Sequence, residues 1–103
     1  MKIAIFGQSF DSVYNTPIKE FLEKLFQRDH ELLIFEPLAL FISGVFNFEH
    51  AQTFSQHSDL KGVDLMIGIG GDGTILNTLI YVRDSGIPVL GLNTGRLGFL
   101  STV

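Results

Sequence analysis

The sequence predicts an α/β fold in which helices cover an open, mostly parallel sheet. Short apolar runs that suit buried strands alternate with segments whose apolar residues recur at helical spacing. The central run is apolar on both faces, which is typical of a parallel strand covered by helices on both sides. Right-handed strand–helix–strand crossovers then give a Rossmann-like architecture.

The chain begins with a strand, a helix and a second strand. Lys2–Gly7 is apolar and ends at a glycine, and a polar loop follows. Thr16 and Pro17 open a helix, with the threonine as its cap and the proline in its first position. The inner face of this helix carries Ile18, Phe21, Leu22, Leu25 and Phe26. Glu31–Glu36 is the second strand.

The middle of the chain carries weaker signals. Pro37 can open a helix within Pro37–Phe48, although Gly44 and the β-branched residues oppose it. Ala51–Ser55 is a short edge strand, and Ser58–Gly62 is one helical turn. The phenylalanines of this region are expected in the core or as a cover over a second domain, with a partner surface as the alternative: Phe41, Phe46, Phe48 and Phe54.

The last part repeats the strand–helix–strand pattern. Val63–Ile69 is the central strand, Thr74–Asp84 is a helix, and Ile87–Leu92 is the next strand. The predicted inner side of the helix consists of Ile75, Leu76, Leu79, Ile80 and Val82. A glycine-punctuated loop surrounds Arg96.

Size and composition narrow the function classes. The 103 residues form one domain, 1–103, and the formal net charge is −4. The seven basic residues are scattered, so nucleic acid is not an expected partner. No apolar run approaches the roughly 18 residues of a membrane span, and no cysteine is present, so we expect a cytoplasmic protein without a membrane partner. The apolar, glycine-rich ending suggests the N-terminal piece of a longer chain.

Functional interest centres on the glycine cluster at the end of the central strand. In "GGDGT", the glycines allow a sharp turn and a close approach of ligand to the backbone. Successive amides beside a helix N-terminus suit phosphate oxygens. A carboxylate repels phosphate, so Asp72 makes sense if it binds magnesium or takes a proton from an attacking hydroxyl. The cluster therefore suggests phosphoryl transfer.

Other interpretations of the cluster compete with this one. Gly68, Gly70 and Gly73 fit a dinucleotide fingerprint, but no acidic residue ends the following strand and the predicted helix begins late. A Walker-type loop is excluded because the chain has no Gly-Lys pair. In the simplest alternative, Asp72 or Thr74 only caps the helix.

Two motifs together resemble the N-terminal domain of NAD kinases. They are "GGDGT", Gly70–Thr74, and "GLNTGRLGFLS", Gly91–Ser101, about twenty residues further on. The first motif alone also resembles lipid kinases of the diacylglycerol type. The pair is specific to NAD kinases. The sequence resemblance is strongest over Val63–Ser101.

The resemblance implies phosphorylation of the 2′-hydroxyl of the adenosine ribose of NAD, with ATP as donor and a divalent metal, usually magnesium. It implies that Asp72 accepts the proton of that hydroxyl. The nucleotide-binding residues it implies are Gly70, Gly71, Gly73, Thr74, Asn93, Gly95, Arg96, Phe99 and Leu100. Phe99 and Leu100 match positions beside the NAD adenine, and no residue is assigned as a metal ligand.

Two departures from the family limit what is carried over. Asn77 stands where many members have a basic residue, so it can hydrogen-bond a nucleotide but cannot neutralise phosphate. The family's second, β-rich domain carries an Asn-Glu/Asp motif for the NAD ribose, and that domain is absent here. We therefore expect half an active site, with activity only in the full-length protein, which the resemblance makes a homodimer or homotetramer. A lipid kinase and a non-catalytic nucleotide-binding module remain alternatives.

Overall fold

The computed structural model describes residues 1–48 and 51–94, and the backbone of 100–102. The strands are β1 (Lys2–Phe6), β2 (Glu31–Phe35), β3 (Gln52–Phe54), β4 (Leu65–Gly70), β5 (Val89–Asn93) and β6 (Leu100–Thr102). The helices are α1 (Asn15–Gln27), α2 (Glu36–Ser43) and α3 (Asp72–Val82). Two short 3-10 turns cover Ser12–Tyr14 and His57–Leu60. The predicted α/β class is confirmed.

The strands form one sheet in the order β3-β2-β1-β4-β5-β6. The first five strands run parallel to one another, and β6 is antiparallel to β5. From β1 the chain moves outward to β2 and β3, and then returns to the other side of β1 for β4 and β5. The strand order therefore reverses between β1 and β4, where open α/β sheets bind ligands. The sequence pattern does not predict β6, because three residues are too few to show a period.

The helices cover the two faces of the sheet unequally. Ile18 and Leu22 of α1, with Leu38 and Ile42 of α2, share one buried cluster with the sheet. Val82 of α3 belongs to a second cluster. The core assignment of the middle phenylalanines is confirmed: Phe54 is buried, and Phe41, Phe46 and Phe48 pack against the first cluster. Within the described segments, no helix is long and apolar enough to cross a bilayer.

The start of α1 differs from the prediction. The helix begins at Asn15, and Thr16 and Pro17 lie inside its first turn. The preceding 3-10 turn is capped by Asp11, whose carboxylate accepts a hydrogen bond from the Val13 amide at 3.0 Å. Because that turn leads directly into the helix, no separate threonine cap is needed.

The helix in the middle of the chain is confirmed, with Pro37 in its first turn and Gly44 directly after its end. The predicted edge strand and the predicted helical turn after it are also present, with shifted ends.

The inner face of α3 was predicted in part wrongly. Leu76 is 57% exposed and Ile80 54% exposed, whereas Thr78 is fully buried. A Cβ added to Gly68 would lie 2.5 Å from the Thr78 hydroxyl oxygen, so the missing side chain of this strand residue makes room for the threonine. The Thr78 hydroxyl donates to the Thr74 carbonyl at 2.7 Å, which satisfies it. A helix that is apolar on most sides does not reveal its rotation from sequence alone.

Tyr81 on α3 lies in an aromatic cluster below the second face of the sheet. Its ring centroid is 5.1 Å from that of Phe6 and 6.2 Å from that of Phe54. Its hydroxyl is buried and has no hydrogen-bond partner in the described part of the chain. Burial, assisted by the charge of Asp59, raises the pKa of the Tyr81 phenol above its ordinary value.

This raised pKa gives a prediction for alkaline unfolding. The phenol ionises less readily in the folded chain, so its contribution to stability is complete below about pH 10 and is lost as pH rises through the folded pKa. We expect Tyr81→Phe to lose less stability than wild type between about pH 9 and pH 11. Urea unfolding across that range measures it, with Tyr14→Phe as the matched control. Equal alkaline losses in Tyr81→Phe and wild type would contradict the prediction.

Candidate functional site

The candidate site lies at the carboxyl edge of the sheet, where β1 and β4 end side by side. A Cβ added to Gly7, directly after β1, would lie 2.5 Å from the carbonyl oxygen of Ile69. The backbones at the ends of β1 and β4 are therefore in close contact. On the other side of β4, the Thr94 amide donates to the Gly70 carbonyl at 2.8 Å, which extends the pairing of Gly70 with Asn93 beyond β5.

Gly70 makes the turn from β4 into α3 possible. Its φ is +154°, and an added Cβ would lie 2.6 Å from both Cβ and Oγ1 of Thr74. A side chain at this position would thus meet both backbone strain and steric overlap. Glycine lets the chain leave the sheet and begin the helix within two residues, which brings the first turn of α3 back over the end of β5.

Asp72 is the first residue of α3 and is exposed. One carboxylate oxygen, Oδ1, accepts a hydrogen bond from the side-chain amide of Asn93 at 2.6 Å. The N-cap of the helix is Gly71, which carries no side chain. Asp72 and Thr74 lie inside the first turn of α3, and neither occupies its N-cap position. A carboxylate in the first helical turn is also favoured by the helix dipole.

Gly71 and Gly73 lie beside open space. Apart from the adjoining residues and the backbone of the same helix, no atom in the described part of the chain lies within 4 Å of a Cβ added to either residue. The first amides of a helix have no carbonyl four residues before them, so they are available to anions. An anionic group can thus approach the backbone around Asp72 closely without meeting a side chain from the loop itself.

The other predicted site residues fall into three groups. Thr74 is half-buried against Gly70, and Asn77 is exposed on α3. Asn93, which the resemblance assigns to nucleotide binding, is the last residue of β5 and is 5% exposed. Three predicted residues lie outside the described part of the chain, and only the backbone of Leu100 is described, in β6. Those three are Gly95, Arg96 and Phe99.

The contact between Asp72 and Asn93 was not predicted from the sequence. A signal for it exists, because the carboxyl ends of neighbouring parallel strands meet at one edge of the sheet. The helix also begins at Asp72, so the argument that it starts too late for a dinucleotide fingerprint was wrong. The argument from the missing acidic residue stands, since β5, the strand after the glycine cluster, ends in Asn93 and not in an aspartate or glutamate.

Two surface cavities lie away from the glycine loop. One, of about 300 Å³, is lined by His57, Lys61, Gly62 and Ile87 among others, and so lies beside the amino ends of β4 and β5. The other, of about 360 Å³, is lined by Phe35, Glu36, Pro37, Leu40 and Ser55, at the far end of the carboxyl edge. Neither cavity is lined by Asp72 or by the glycines of the loop. The chemical grouping at Asp72 therefore identifies the site better than cavity volume does.

Comparison with known proteins gives consistent matches. The family described as "ATP-NAD kinase N-terminal domain" matches residues 11–103. The chain is 43% identical to an NAD kinase of Flavobacterium psychrophilum, with all of this chain and 36% of the relative covered. It is 39% identical to an NAD kinase of Porphyromonas gingivalis, with 99% of this chain and 35% of the relative covered. The chain thus spans about a third of the length of these relatives.

Among solved structures, the fold is similar to that of yeast NADH kinase complexed with NADH. The TM-score is 0.73 at 25% identity, and the match covers 98% of this chain and 33% of that chain.

Proposed function

Because the chain belongs to the ATP-NAD kinase N-terminal domain family, we propose that it forms the phosphate-binding half of an NAD kinase. The full-length protein transfers the γ-phosphoryl group of ATP to the 2′-hydroxyl of the adenosine ribose of NAD, giving NADP and ADP. This half supplies the proton acceptor and the backbone amides that hold the phosphates. The remainder of the full-length chain supplies the other side of the nucleotide site.

The observation that carries the proposal is the position of Asp72 between two kinds of group. On one side lie the open backbone positions of Gly71 and Gly73, which suit phosphate oxygens. On the other lies Asn93, which holds the carboxylate at 2.6 Å. An exposed carboxylate beside a phosphate-binding loop repels the phosphates of ATP. Its presence is therefore explained if it accepts the proton of the acceptor hydroxyl or binds a cation. A general base in phosphoryl transfer has that arrangement.

The proposed reaction follows from these positions. The ribose hydroxyl donates a hydrogen bond to Asp72 and loses its proton to the carboxylate as its oxygen attacks the γ-phosphorus. The bond between that phosphorus and the β,γ-bridging oxygen breaks, and ADP leaves with the electron pair. The loop amides balance the charge on the phosphate oxygens, so the chain contributes mainly positioning and electrostatic stabilisation.

A divalent cation fits this residue set if it is held mainly by the phosphate groups of ATP, the phosphoryl donor. Among the described residues, no three carboxylate or histidine side chains come together as a metal site. Magnesium is commonly bound by one or two carboxylates together with substrate phosphates. Asp72 is the carboxylate of this loop that can contribute to such a site. When bound, the cation supplies charge neutralisation at the phosphates.

The remaining roles come from the family resemblance. We propose that Thr74 completes the phosphate side, that Asn77 hydrogen-bonds the nucleotide, and that Phe99 and Leu100 lie beside the adenine of NAD. We further propose Arg96 as a phosphate contact and Gly95 as part of the nucleotide site. We also propose that the full-length protein is a homodimer or homotetramer.

The direct test is the acceptor specificity of the full-length protein with ATP and Mg²⁺. We expect NADP from NAD, or NADPH from NADH, and no phosphorylation of diacylglycerol vesicles. Formation of NADP can be followed with an NADP-specific dehydrogenase. Phosphatidic acid in place of NADP would identify a lipid kinase. Nucleotide binding without any phosphorylation would identify a non-catalytic binding module.

A further inference from the structure

We infer that Asn93 is a positioning residue, whose side-chain amide sets the orientation of the Asp72 carboxylate for proton transfer. The inference rests on the proposed function, and it adds a role for a residue that the family resemblance places only among the nucleotide-binding positions. Asn93 touches neither reacting group in this scheme and acts only through Asp72.

The two residues are brought together by the sheet. Gly70, the last residue of β4, is paired with Asn93, the last residue of β5. The Thr94 amide donates to the Gly70 carbonyl at 2.8 Å and so fixes the two strand ends relative to each other. Asp72 lies only two residues beyond Gly70. The separation of the two side chains is thus set by the rigid parallel ladder and one short turn.

The hydrogen bond itself is specific in direction. An ionised carboxylate can only accept, so the atom of Asn93 that faces Oδ1 at 2.6 Å is the amide nitrogen. A carboxamide does not titrate, and it therefore remains a donor throughout the working pH range. Asn93 is 5% exposed, which restricts its own rotation, whereas Asp72 is exposed. The buried partner therefore orients the exposed one.

Orientation matters because a carboxylate must present one oxygen to the acceptor hydroxyl within hydrogen-bond distance. The contact through Oδ1 settles which oxygen faces β5, and hence the direction of Oδ2. This contact restricts the rotamers open to the exposed side chain, and each departure from a productive geometry lowers the rate. Substrate binding by the loop amides does not depend on that rotation.

The test is Asn93→Leu in the full-length protein, since leucine has a similar shape and no donor. We expect kcat for NADP formation to fall about 10- to 100-fold, with KM for NAD and for ATP changed by less than about threefold. The matched control is Thr78→Val, which also replaces a buried polar side chain by an apolar one of equal shape. Thr78 packs against Gly68 and bonds the Thr74 carbonyl, away from the carboxylate. This control should keep kcat within about threefold of wild type.

Two further variants separate positioning from a structural role. Asn93→Ser keeps a polar group but is too short for the contact, so it should lower kcat in the same way, and it replaces the leucine variant should that one not fold. In an Asp72→Asn background, Asn93→Leu should change the residual kcat less than about twofold, because the group it positions is already gone.

Three results would overturn the inference. They are a wild-type kcat in a folded Asn93 variant, a loss of kcat that only follows a loss of thermal stability, and an equal loss in the Asp72→Asn background. A wild-type protein that forms no NADP contradicts the proposed function instead, so the two failures are distinguishable.

Discussion

Asp72→Asn is expected to lower kcat for NADP formation by about 10²–10⁴-fold in the full-length protein, because general base catalysis contributes rate factors of that size. This corresponds to about 2.7–5.4 kcal/mol of lost transition-state stabilisation, at 1.36 kcal/mol for each factor of ten. Asparagine keeps the shape of aspartate, and its carbonyl oxygen can still accept the hydrogen bond from Asn93. The fold of the loop and the affinity for nucleotides should therefore change little.

The measurement needs kcat, KM and direct binding of NAD, because the prediction is a loss of turnover with retained binding. The matched control is Asp64→Asn, which makes the same chemical change just before β4, at the opposite edge of the sheet. Asp64 is exposed, and its carboxylate accepts from the Lys2 amide at 2.8 Å. This control should keep wild-type turnover. Unchanged turnover in Asp72→Asn would show that the carboxylate does not act as the base.

Strand and helix types were predictable because the sheet is buried on both faces. A strand such as β4 then consists almost wholly of apolar residues, and in β4 the run leads into a glycine-rich turn. The ends of the elements were less predictable. The helix after β4 begins two residues before the predicted threonine because Gly70 permits an immediate turn. The spacing of apolar residues in the sequence does not indicate such a backbone angle.

The position of the candidate site was predictable from the sequence, but its internal contacts were not. The glycine–aspartate motif has local physical requirements that can be recognised in sequence. The hydrogen bond between Asp72 and Asn93 joins residues 21 positions apart, and it exists because β4 and β5 are neighbours. Likewise, the burial of Thr78 depends on the missing side chain of Gly68 on the adjacent strand. Both contacts need the strand order, which the sequence does not contain explicitly.

Two glycines of the loop, Gly70 and Gly73, should differ sharply when each is replaced by alanine, with the larger effect on stability at Gly70. Gly70→Ala places a methyl group 2.6 Å from the Cβ and Oγ1 of Thr74, at a φ of +154°. Backbone strain of this kind costs about 1–3 kcal/mol, and overpacking costs about 1–3 kcal/mol more. Domains of this size have only about 5–15 kcal/mol of stability. We therefore expect the unfolding temperature to fall by at least about 10 °C.

Gly73→Ala is the matched comparison, since it makes the same substitution three residues away with no neighbouring atom within 4 Å in the described part of the chain. Alanine favours the helix by up to about 1 kcal/mol relative to glycine, so thermal stability should be unchanged or slightly higher. The added methyl group instead occupies the space proposed for phosphate, so KM for ATP should rise and kcat should fall in the full-length protein. Thermal unfolding and steady-state kinetics on both variants separate the two roles. A stable Gly70→Ala variant would mean that the turn does not need glycine, and a fully active Gly73→Ala variant would mean that no ligand approaches the backbone there.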